Sequence, residues 1–421
     1  MSKEKQRVGI EEFSESTGFQ IVDQPVDDID MIRQTSMSND MDDEAFYICN
    51  ISNIIQKHQL WKKCMPRVIP FYAVKCNDSP IVLQTLATLG TGFDCASKGE
   101  IAMVMNCGVA PQSIIYANPT KSVSHLKYAR ERGVSVMTVD NDYELHKIKQ
   151  HYPDAKLVLR IRCDAKFTRW LPFGKKFGCD PDKEAEGLIK LAKSLDLNMI
   201  GISFHVGCGC MESSAYERAI QLSRKLFDFA ASIDYNFTLL DIGGGFPGEI
   251  GTDIEEIASI VNRSIEMYFP SPNVDIIAEP GRYYVSSAFT LACRIHSMRK
   301  VYRNGKFDSF MYHINDGVFG SFINCLFDKS FAHPTTLKSE NEELFKSIIW
   351  GQTAASIDQV CEDVLLPELD IGDFIIFQNM GAYTIPVATS FNGFPRSKVK
   401  FYIDRKHLNV INKICNIKVG I

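Results

Sequence analysis

With 421 residues, the chain is too long for one ordinary hydrophobic core, so its length predicts two domains. A formal net charge of −5 without long basic runs argues against nucleic acid or an anionic membrane as a partner, and no apolar stretch is long enough to span a bilayer. The 13 cysteines include no pair or cluster with metal-ligand spacing, and the N-terminus is too polar for a signal peptide. We therefore expect a cytoplasmic protein with reduced thiols and no metal site.

Residues 1–45 are polar and acidic, and we expect only the short apolar stretch Phe19–Val22 to pair with a sheet elsewhere in the chain. From Val68 onward, apolar runs alternate with segments that carry helix signals. The clearest of these signals is the capping box, in which a Ser or Asn side chain pairs with a Glu three residues later. The boxes are Ser97 with Glu100, Asn141 with Glu144, and Ser214 with Glu217.

These alternating units predict a (β/α)8 barrel across residues 46–285. Roughly eight strand–helix units in somewhat more than about 200 residues are typical of such a barrel. A doubly wound open sheet is the alternative, but it rarely has so many parallel strands. The predicted strands are 68–74, 92–94, 114–116, 134–139, 157–161, 200–206, 239–242 and 274–278.

The pattern changes near residue 286, and residues 286–421 predict a second, mostly β domain. Strand-like runs follow one another there without long helices between them. Asn304-Gly305 is a strong signal for a two-residue hairpin turn. We expect one helix, around residues 357–365, to interrupt this domain.

Polar and charged side chains follow the predicted barrel strands at the points where the strands end. In a barrel of this kind, reactive groups lie on the rim formed by the carboxyl ends of the strands. Each group has an ordinary explanation by itself, such as a lysine that reaches water, a satisfied core histidine or a flexible glycine turn. Their succession favours one shared site. In chain order the groups are Lys75, Asp94, Arg160, His205, Gly243-Gly244-Gly245 and Glu279-Pro280-Gly281-Arg282.

Together these groups match the needs of pyridoxal phosphate (PLP). Lys75 supplies an amine for the aldehyde of the cofactor, and Glu279 supplies a carboxylate that keeps the pyridine nitrogen protonated. His205 offers a flat ring for one face of the cofactor. Consecutive glycines let backbone N–H groups approach a phosphate closely, and Arg282 adds a guanidinium. The sequence therefore predicts a PLP site on the barrel rim.

Seven motifs resemble those of eukaryotic ornithine decarboxylases, which are group IV PLP-dependent decarboxylases with a barrel like that of alanine racemase. The match runs from about residue 46 to about residue 394. The motifs begin at Pro70 (PFYAVKCN), Gly92 (GFDCAS), His205 (HVG), Asp241 (DIGGGFPG), Glu279 (EPGRYY), Asn315 (NDG) and Met380 (MGAY).

The resemblance implies a homodimer with active sites at the subunit interface, a β-sandwich second domain, and conversion of L-ornithine to putrescine and carbon dioxide in polyamine biosynthesis. It implies that Lys75 forms the Schiff base, that Asp316 and Phe391 face the substrate, and that a salt bridge between Lys176 and Asp358 crosses the dimer interface. Glu279 and His205 join Lys75 and Asp316 as the catalytic set. The residues implied around the cofactor are Lys75, Asp94, Arg160, His205, Cys208, Gly243, Gly244, Gly245, Glu279, Gly281, Arg282 and Tyr383.

The segment from Gly351 to Asp358 departs from the family pattern. Ala354 stands where the family has a cysteine that helps to protonate the substrate carbon, and Ala355 stands where an aspartate from the partner subunit binds the distal ammonium. Losing a positioned general acid costs a factor of about 10²–10⁴ in rate, and losing one partner of a desolvated charge pair costs about 2–5 kcal/mol. Cys208 also replaces a serine near the phosphate.

Three functions fit these changes. The first is decarboxylation of ornithine, slowed by the two alanines. The second is decarboxylation of a different, less cationic amino acid. The third is a regulator similar to antizyme inhibitor, which keeps the fold and binds antizyme through the segment from Lys121 to Gln150, the match to the family's antizyme-binding element. The ordinary interpretation of this basic segment is a pair of solvated helices on the outside of the barrel.

Overall fold

The computed structural model describes residues 10–14, 19–24, 26–36, 43–163, 176–207, 212–328, 331–339 and 341–410. These residues form two compact units. One unit runs from Gln56 to Tyr284, and the other combines the described residues up to Ile55 with the described residues from Val285. No helix in these described ranges is both long and apolar enough to cross a membrane.

The chain contains the following strands and helices, each numbered in chain order. The strands are β1 (Ile10–Ser14), β2 (Phe19–Val22), β3 (Phe46–Asn50), β4 (Val68–Ala73), β5 (Gly92–Cys95), β6 (Ile114–Tyr116), β7 (Val136–Val139), β8 (Lys156–Ile161), β9 (Asn198–Phe204), β10 (Leu239–Asp241), β11 (Asp275–Ala278), β12 (Phe289–Arg303), β13 (Lys306–Ile314), β14 (Pro334–Thr336), β15 (Leu344–Trp350), β16 (Gln359–Pro367), β17 (Phe374–Phe377) and β18 (Lys398–Asp404). The helices are α1 (Asp28–Ser36), α2 (Ile51–Cys64), α3 (Pro80–Leu89), α4 (Lys98–Asn106), α5 (Val123–Glu131), α6 (Asp142–His151), α7 (Ala185–Ser194), α8 (Ser214–Ser232), α9 (Glu255–Tyr268) and α10 (Arg282–Val285).

The first unit is a closed barrel of the parallel strands β4 to β11, each paired with its neighbours in chain order and β11 paired with β4. This confirms the predicted (β/α)8 barrel and excludes the open sheet. The barrel strands are apolar and mostly buried because helices cover the outside while side chains fill the inside. The carboxyl ends of all these strands therefore meet on one rim.

Two of the three predicted capping boxes begin helices that connect barrel strands. The Ser97 hydroxyl accepts a hydrogen bond from the N–H of Glu100 at 3.2 Å, and the Asn141 side chain accepts one from the N–H of Glu144 at 2.9 Å. The third box is wrong because Ser214 already lies inside α8, and the N-cap residue before it makes no side-chain cap bond.

The second unit is mostly β, as predicted. Its strands form one sheet in the order β1-β2-β18-β3-β12-β13-β15-β16, with β17 paired to β12 and β14 paired to β17. The segment Phe19–Val22 runs parallel to β18, and β3 pairs with β18 and β12. Asn304 and Gly305, both at positive φ, form the predicted turn between β12 and β13.

The predicted helix around residues 357–365 is wrong. This stretch lies mostly in β16, which pairs antiparallel with β15. Between Ser347 and Ile349 on β15, the facing residue on β16 moves from Val364 to Cys361, one residue more than regular pairing requires. Asp363 lies at this bulge and adopts a positive φ of +58°. This bulge interrupts the two-residue alternation of the strand, so its apolar residues lose the pattern by which a strand is recognised.

Candidate active site

Lys75 lies immediately after β4, in a short 3-10 turn, and its amine forms a salt bridge with the carboxylate of Asp94. The two residues meet because Ala73 at the end of β4 is paired with Asp94 on β5. The Lys75 side chain is 40% exposed, whereas the Asp94 side chain is fully buried. Burial opposes the charged amine, but the carboxylates of Asp94 and Glu279 outweigh it and raise the pKa of Lys75. Lys75 is therefore an ammonium until a neighbouring group takes its proton.

His205 follows β9 and presents a neutral ring to the rim. Its Nδ1 atom accepts a hydrogen bond from the backbone N–H of Gly207 at 2.9 Å. Burial lowers the pKa of His205 well below its usual value, and the positive charges of Arg160 and Lys75 lower it further. A ring without charge, held in place by its own loop, is suited to stacking on a flat cofactor.

Glycines 243–245 form a cradle that leaves no room for side chains. A Cβ on Gly243 would lie 2.1 Å from the carbonyl oxygen of Phe204, and one on Gly244 would lie 2.8 Å from Nε2 of His205. Gly245 adopts φ +108°, which side chains other than glycine rarely allow. Backbone N–H groups in such a turn can surround a phosphate closely.

Glu279 follows β11, and the same glycine turn holds its backbone. Its N–H donates to the carbonyl of Gly243 at 2.7 Å, and its side chain is buried. Burial raises the pKa of Glu279 well above its usual value, and the nearby negative charges of Asp241 and Asp94 raise it further. Within the described part of the chain, its Oε1 atom has no hydrogen-bond partner. A buried carboxyl group in this state is suited to receive a positively charged nitrogen.

A family motif begins at Asp241, but the sequence assigns no role to this residue. It is fully buried at the end of β10 and accepts a hydrogen bond from the N–H of Gly243 at 2.9 Å. Burial raises its pKa to about 6, and its charge acts on Glu279. The signal available in the sequence is its place at the start of the DIGGGFPG motif, two residues before three glycines.

Arg160, Gly281 and Arg282 also lie in this unit. The Arg160 side chain is largely buried at the end of β8, with its guanidinium 5.6 Å from the centre of the Phe177 ring. A Cβ on Gly281 would lie 2.9 Å from Cβ of Cys76, beside Lys75 in sequence. Arg282 has Nη1 3.7 Å from the Glu249 carboxylate. Cys208 falls outside the described residues.

In the β unit, Asp316 is buried two residues after β13 and accepts hydrogen bonds from its own loop. The N–H groups of Gly317 and Ser321 donate at 2.7 and 2.9 Å, and the Ser321 hydroxyl donates at 2.5 Å. Phe391 stacks on Phe319 with a centroid distance of 4.3 Å. Tyr383 adopts φ +57°, and its carbonyl accepts from Asn324 at 2.9 Å.

The segment that carries the two alanines is held by backbone contacts. The N–H of Ala354 donates to the side chain of Asn392 at 3.3 Å, while the N–H of Ala355 donates to the Thr353 hydroxyl at 3.4 Å. Ala354 is exposed and Ala355 is half-buried. Their methyl groups offer neither an acid nor a charge.

The two residues of the expected dimer salt bridge lie in different units. Asp358 in the β unit is 1% exposed and accepts hydrogen bonds from Val318 and Thr353. Lys176 in the barrel unit is exposed, with its amine 4.8 Å from the centre of the Phe177 ring. The salt bridge across a dimer interface stays a prediction.

The described residues of the barrel rim fit PLP. They combine a lysine amine, a buried carboxylate oxygen without a partner and a glycine cradle that any Cβ would fill. This donor set matches an aldehyde, a pyridine nitrogen and a phosphate, which are the three polar ends of the cofactor.

Comparison with known proteins agrees with this chemistry. Residues 51–286 match the family described as pyridoxal-dependent decarboxylase, pyridoxal binding domain. Ornithine decarboxylase 2 of Drosophila melanogaster is 47% identical over 363 residues, which is 86% of this chain and 92% of that protein. Antizyme inhibitor 2 of Xenopus laevis is also 47% identical, over 390 residues, covering 89% of this chain and 84% of that protein.

Two solved structures resemble the whole fold. The arginine decarboxylase of Paramecium bursaria Chlorella virus bound to agmatine is 36% identical, with a TM-score of 0.84, and the match covers 89% of this chain and 100% of that one. The lysine/ornithine decarboxylase of Vibrio vulnificus complexed with putrescine is 31% identical, with a TM-score of 0.79, covering 89% and 97%. The chain therefore belongs to the pyridoxal-dependent decarboxylase family, and its cofactor is PLP.

Proposed function

We propose that the protein decarboxylates L-ornithine and releases putrescine and carbon dioxide. The observation that carries this proposal is the meeting of Lys75, Glu279 and the glycine cradle on one barrel rim. Ornithine is favoured as the substrate because relatives at 47% and 44% identity are ornithine decarboxylases. Asp316 supports this choice because it supplies a buried carboxylate for a distal ammonium.

The residues that would hold PLP are Lys75 at its aldehyde, Glu279 at its ring nitrogen, His205 on its ring face, and the glycine cradle with Arg282 at its phosphate. When bound, PLP supplies an electron-poor ring that takes up the electron pair left when carbon dioxide departs. The side chains of the protein hold the reacting groups in position and supply or accept the protons.

Asp94 is the group placed to take a proton from Lys75. The ammonium of Lys75 must lose a proton before its nitrogen can form a bond, and the Asp94 carboxylate contacts that nitrogen. Burial raises the pKa of Glu279 well above its usual value, which favours the form of the side chain that carries a proton. It shares that proton with a basic nitrogen that comes into contact with it.

At the substrate end, Asp316 supplies the charge for the distal ammonium. Ala355 supplies none, and Ala354 has no proton to give to the carbon that loses carbon dioxide. Water must deliver that proton, which is less selective than a positioned acid. We expect slower turnover and weaker ornithine binding than in a family member with both side chains.

We also propose that the protein is a cytoplasmic homodimer with its active sites at the subunit interface, in which Lys176 of one subunit pairs with Asp358 of the other. The 10 described cysteines without a disulfide bond support a reducing compartment.

The experiment that tests the proposal is carbon dioxide release by purified protein with added PLP. The panel holds ornithine, lysine, arginine and several neutral amino acids, and the cofactor absorbance is recorded alongside. Release from ornithine is the expected result. Release only from another amino acid would show that this amino acid is the substrate and would make Ala355 a specificity determinant. A protein that binds PLP but releases nothing would overturn the enzymatic proposal.

The second candidate is an antizyme-binding regulator. It is favoured by Ala354 and Ala355 together with the 47% identity to an antizyme inhibitor. In the segment from Lys121 to Gln150, Lys121 is 3% exposed, so only the remaining basic side chains are available to a partner. Co-elution of the purified protein with antizyme in size-exclusion chromatography, combined with no carbon dioxide release, would favour this candidate. Activity without co-elution would exclude it.

A further inference from the structure

A small cavity lies beside Asp316 in the β unit. Its volume is about 20 Å³, which is room for one water-sized group. A guanidinium is too large for this space, whereas a primary ammonium is close in size to water. Its walls include Asp316, Ser321, Thr353, Phe391, Arg396 and Ser397.

The hydrogen bonds to the Asp316 carboxylate come from uncharged donors. Three hydrogen bonds come from Gly317 and Ser321 in its own loop. The fourth comes from the hydroxyl of Ser397 at 2.8 Å, 81 residues further along the chain. A carboxylate accepts hydrogen bonds at both oxygens, so these donors fix the orientation of the group without neutralising its charge. No cationic side chain in the described ranges forms a hydrogen bond or ion pair with Asp316.

The bond from Ser397 closes one end of a segment whose other end is already fixed. Thr389 donates to the carbonyl of Phe319 through its N–H at 2.9 Å and its hydroxyl at 2.8 Å. Phe391 stacks on the same Phe319 ring. Ser397 therefore holds the wall that carries Phe391 against the loop that carries Asp316.

The hydrogen bonds also act on the charge of Asp316. Burial raises its pKa, and the bonds from Ser321, Ser397 and Gly317 counteract that rise. The other titratable groups that act near it are Tyr47 and Cys293, whose own pKa values are raised by burial and by the charge of Asp316. Arg396 also lines the cavity. Loss of the Ser397 bond therefore favours the protonated, uncharged form of Asp316.

We propose that Ser397 is a positioning residue that holds Asp316 in place as a single-carboxylate receptor for the distal ammonium of the substrate. This rests on the proposed decarboxylase function. The Ser397 hydroxyl donates to Asp316 and keeps its lone pairs for an ammonium N–H, so a compact cation can contact both side chains. Ser397 thus holds Asp316, the carboxylate that is left to bind the distal ammonium because Ala355 carries no charge.

The test compares Ser397→Ala with the control Ser390→Ala. Ser390 is an exposed serine in the same segment, and its side chain makes no capping hydrogen bond to the short 3-10 turn that follows it. For ornithine, Ser397→Ala should raise KM about 5- to 10-fold and change kcat less than about twofold. The rise in KM should be steeper at acidic pH. Ser397→Thr should restore most of the affinity, and Ser390→Ala should match the wild type.

A binding measurement separates this proposal from the decarboxylase activity. Calorimetry with putrescine as the probe should give a Kd about 5- to 10-fold weaker for Ser397→Ala than for the wild type. If ornithine yields no carbon dioxide but this difference persists, the proposed function fails and the role of Ser397 stands. Equal KM and equal putrescine Kd, a loss confined to kcat, or no putrescine binding by the wild type would each overturn the proposal.

Discussion

The carboxylate of Asp358 accepts a hydrogen bond from the backbone N–H of Val318 at 2.8 Å and so joins two loops 40 residues apart. The N–H and hydroxyl of Thr353 donate to the same carboxylate at 2.8 and 2.6 Å. A Cβ on Gly317 or Gly351 would lie 2.2 or 2.3 Å from Oδ1 of Asp358, so only glycine fits at either position. This buried charge holds the two loops of the substrate end together.

Asp358→Asn should therefore destabilise the protein. The amide group would turn an N–H toward the N–H and hydroxyl donors that now meet a carboxylate, and buried donors would lose their acceptor. We expect the free energy of unfolding to fall by about 1–3 kcal/mol in urea denaturation of the PLP-loaded protein. The control is Asp363→Asn, where the side chain is 69% exposed and pairs with Lys346. It should change stability by less than about 0.5 kcal/mol. Equal effects of the two changes would contradict the role of Asp358.

Lys121 is buried, and its amine donates to the carbonyls of Asn118 at 2.8 Å and Thr138 at 2.6 Å. It also pairs with Glu144 at 3.2 Å. Lys121→Met would leave these acceptors without their donor, so we expect the free energy of unfolding to fall by about 2–3 kcal/mol. Lys127→Met on the exposed surface of α5 is the matched control. Thermal or urea unfolding that shows no difference between the variants would refute this account.

The stability contributed by Lys121 should depend on pH. Burial lowers the pKa of Lys121 from 10.5 to about 8, although Glu144 opposes the shift. Between these two pKa values the unfolded chain holds a proton that the folded chain has released, so unfolding takes up a proton and rising pH favours the folded state. The contribution to the free energy of unfolding should increase by about 3 kcal/mol across this window. The measurement is the difference between wild type and Lys121→Met as a function of pH. A difference that stays constant would contradict the lowered pKa.

Glu279→Gln should impair catalysis more than folding. Glutamine keeps the size of the side chain but cannot become negative, so it cannot stabilise a protonated ring nitrogen. We expect kcat for ornithine to fall about 10²- to 10⁴-fold, measured as carbon dioxide release in single turnovers. Glu266→Gln, an exposed change on α9, should leave kcat unaltered. Full activity in Glu279→Gln would exclude the proposed contact with the cofactor.

Restoring both family residues should raise ornithine turnover. Ala354→Cys supplies a proton donor and should act mainly on kcat, while Ala355→Asp supplies a charge and should act mainly on KM. Together we expect a gain of about 10² or more in kcat/KM. The measurement is steady-state carbon dioxide release by the two single variants and the double variant. No gain in the double variant would place the defect outside this segment.

The residues proposed to hold the cofactor can be selected from the sequence because of how a barrel closes. Lys75, His205 and Glu279 each follow an apolar run, and the carboxyl ends of parallel barrel strands share one rim whatever segments connect them. The segment that became β16 was predicted wrongly because the bulge at Asp363 depends on the partner strand. Asp241 begins a family motif, but no local feature shows that its carboxyl group acts on Glu279 rather than simply ending a strand.

The fold class, the cofactor chemistry and the two alanines that depart from the family all follow from the amino-acid sequence alone. Local apolar runs and the residues that follow them contain that information. The burial of Lys121, the link that Asp358 makes between two loops and the contact of Ser397 with Asp316 are visible only in the folded chain. Burial and long-range hydrogen bonds depend on residues that are distant in the chain, and no local pattern states which distant donor meets which acceptor.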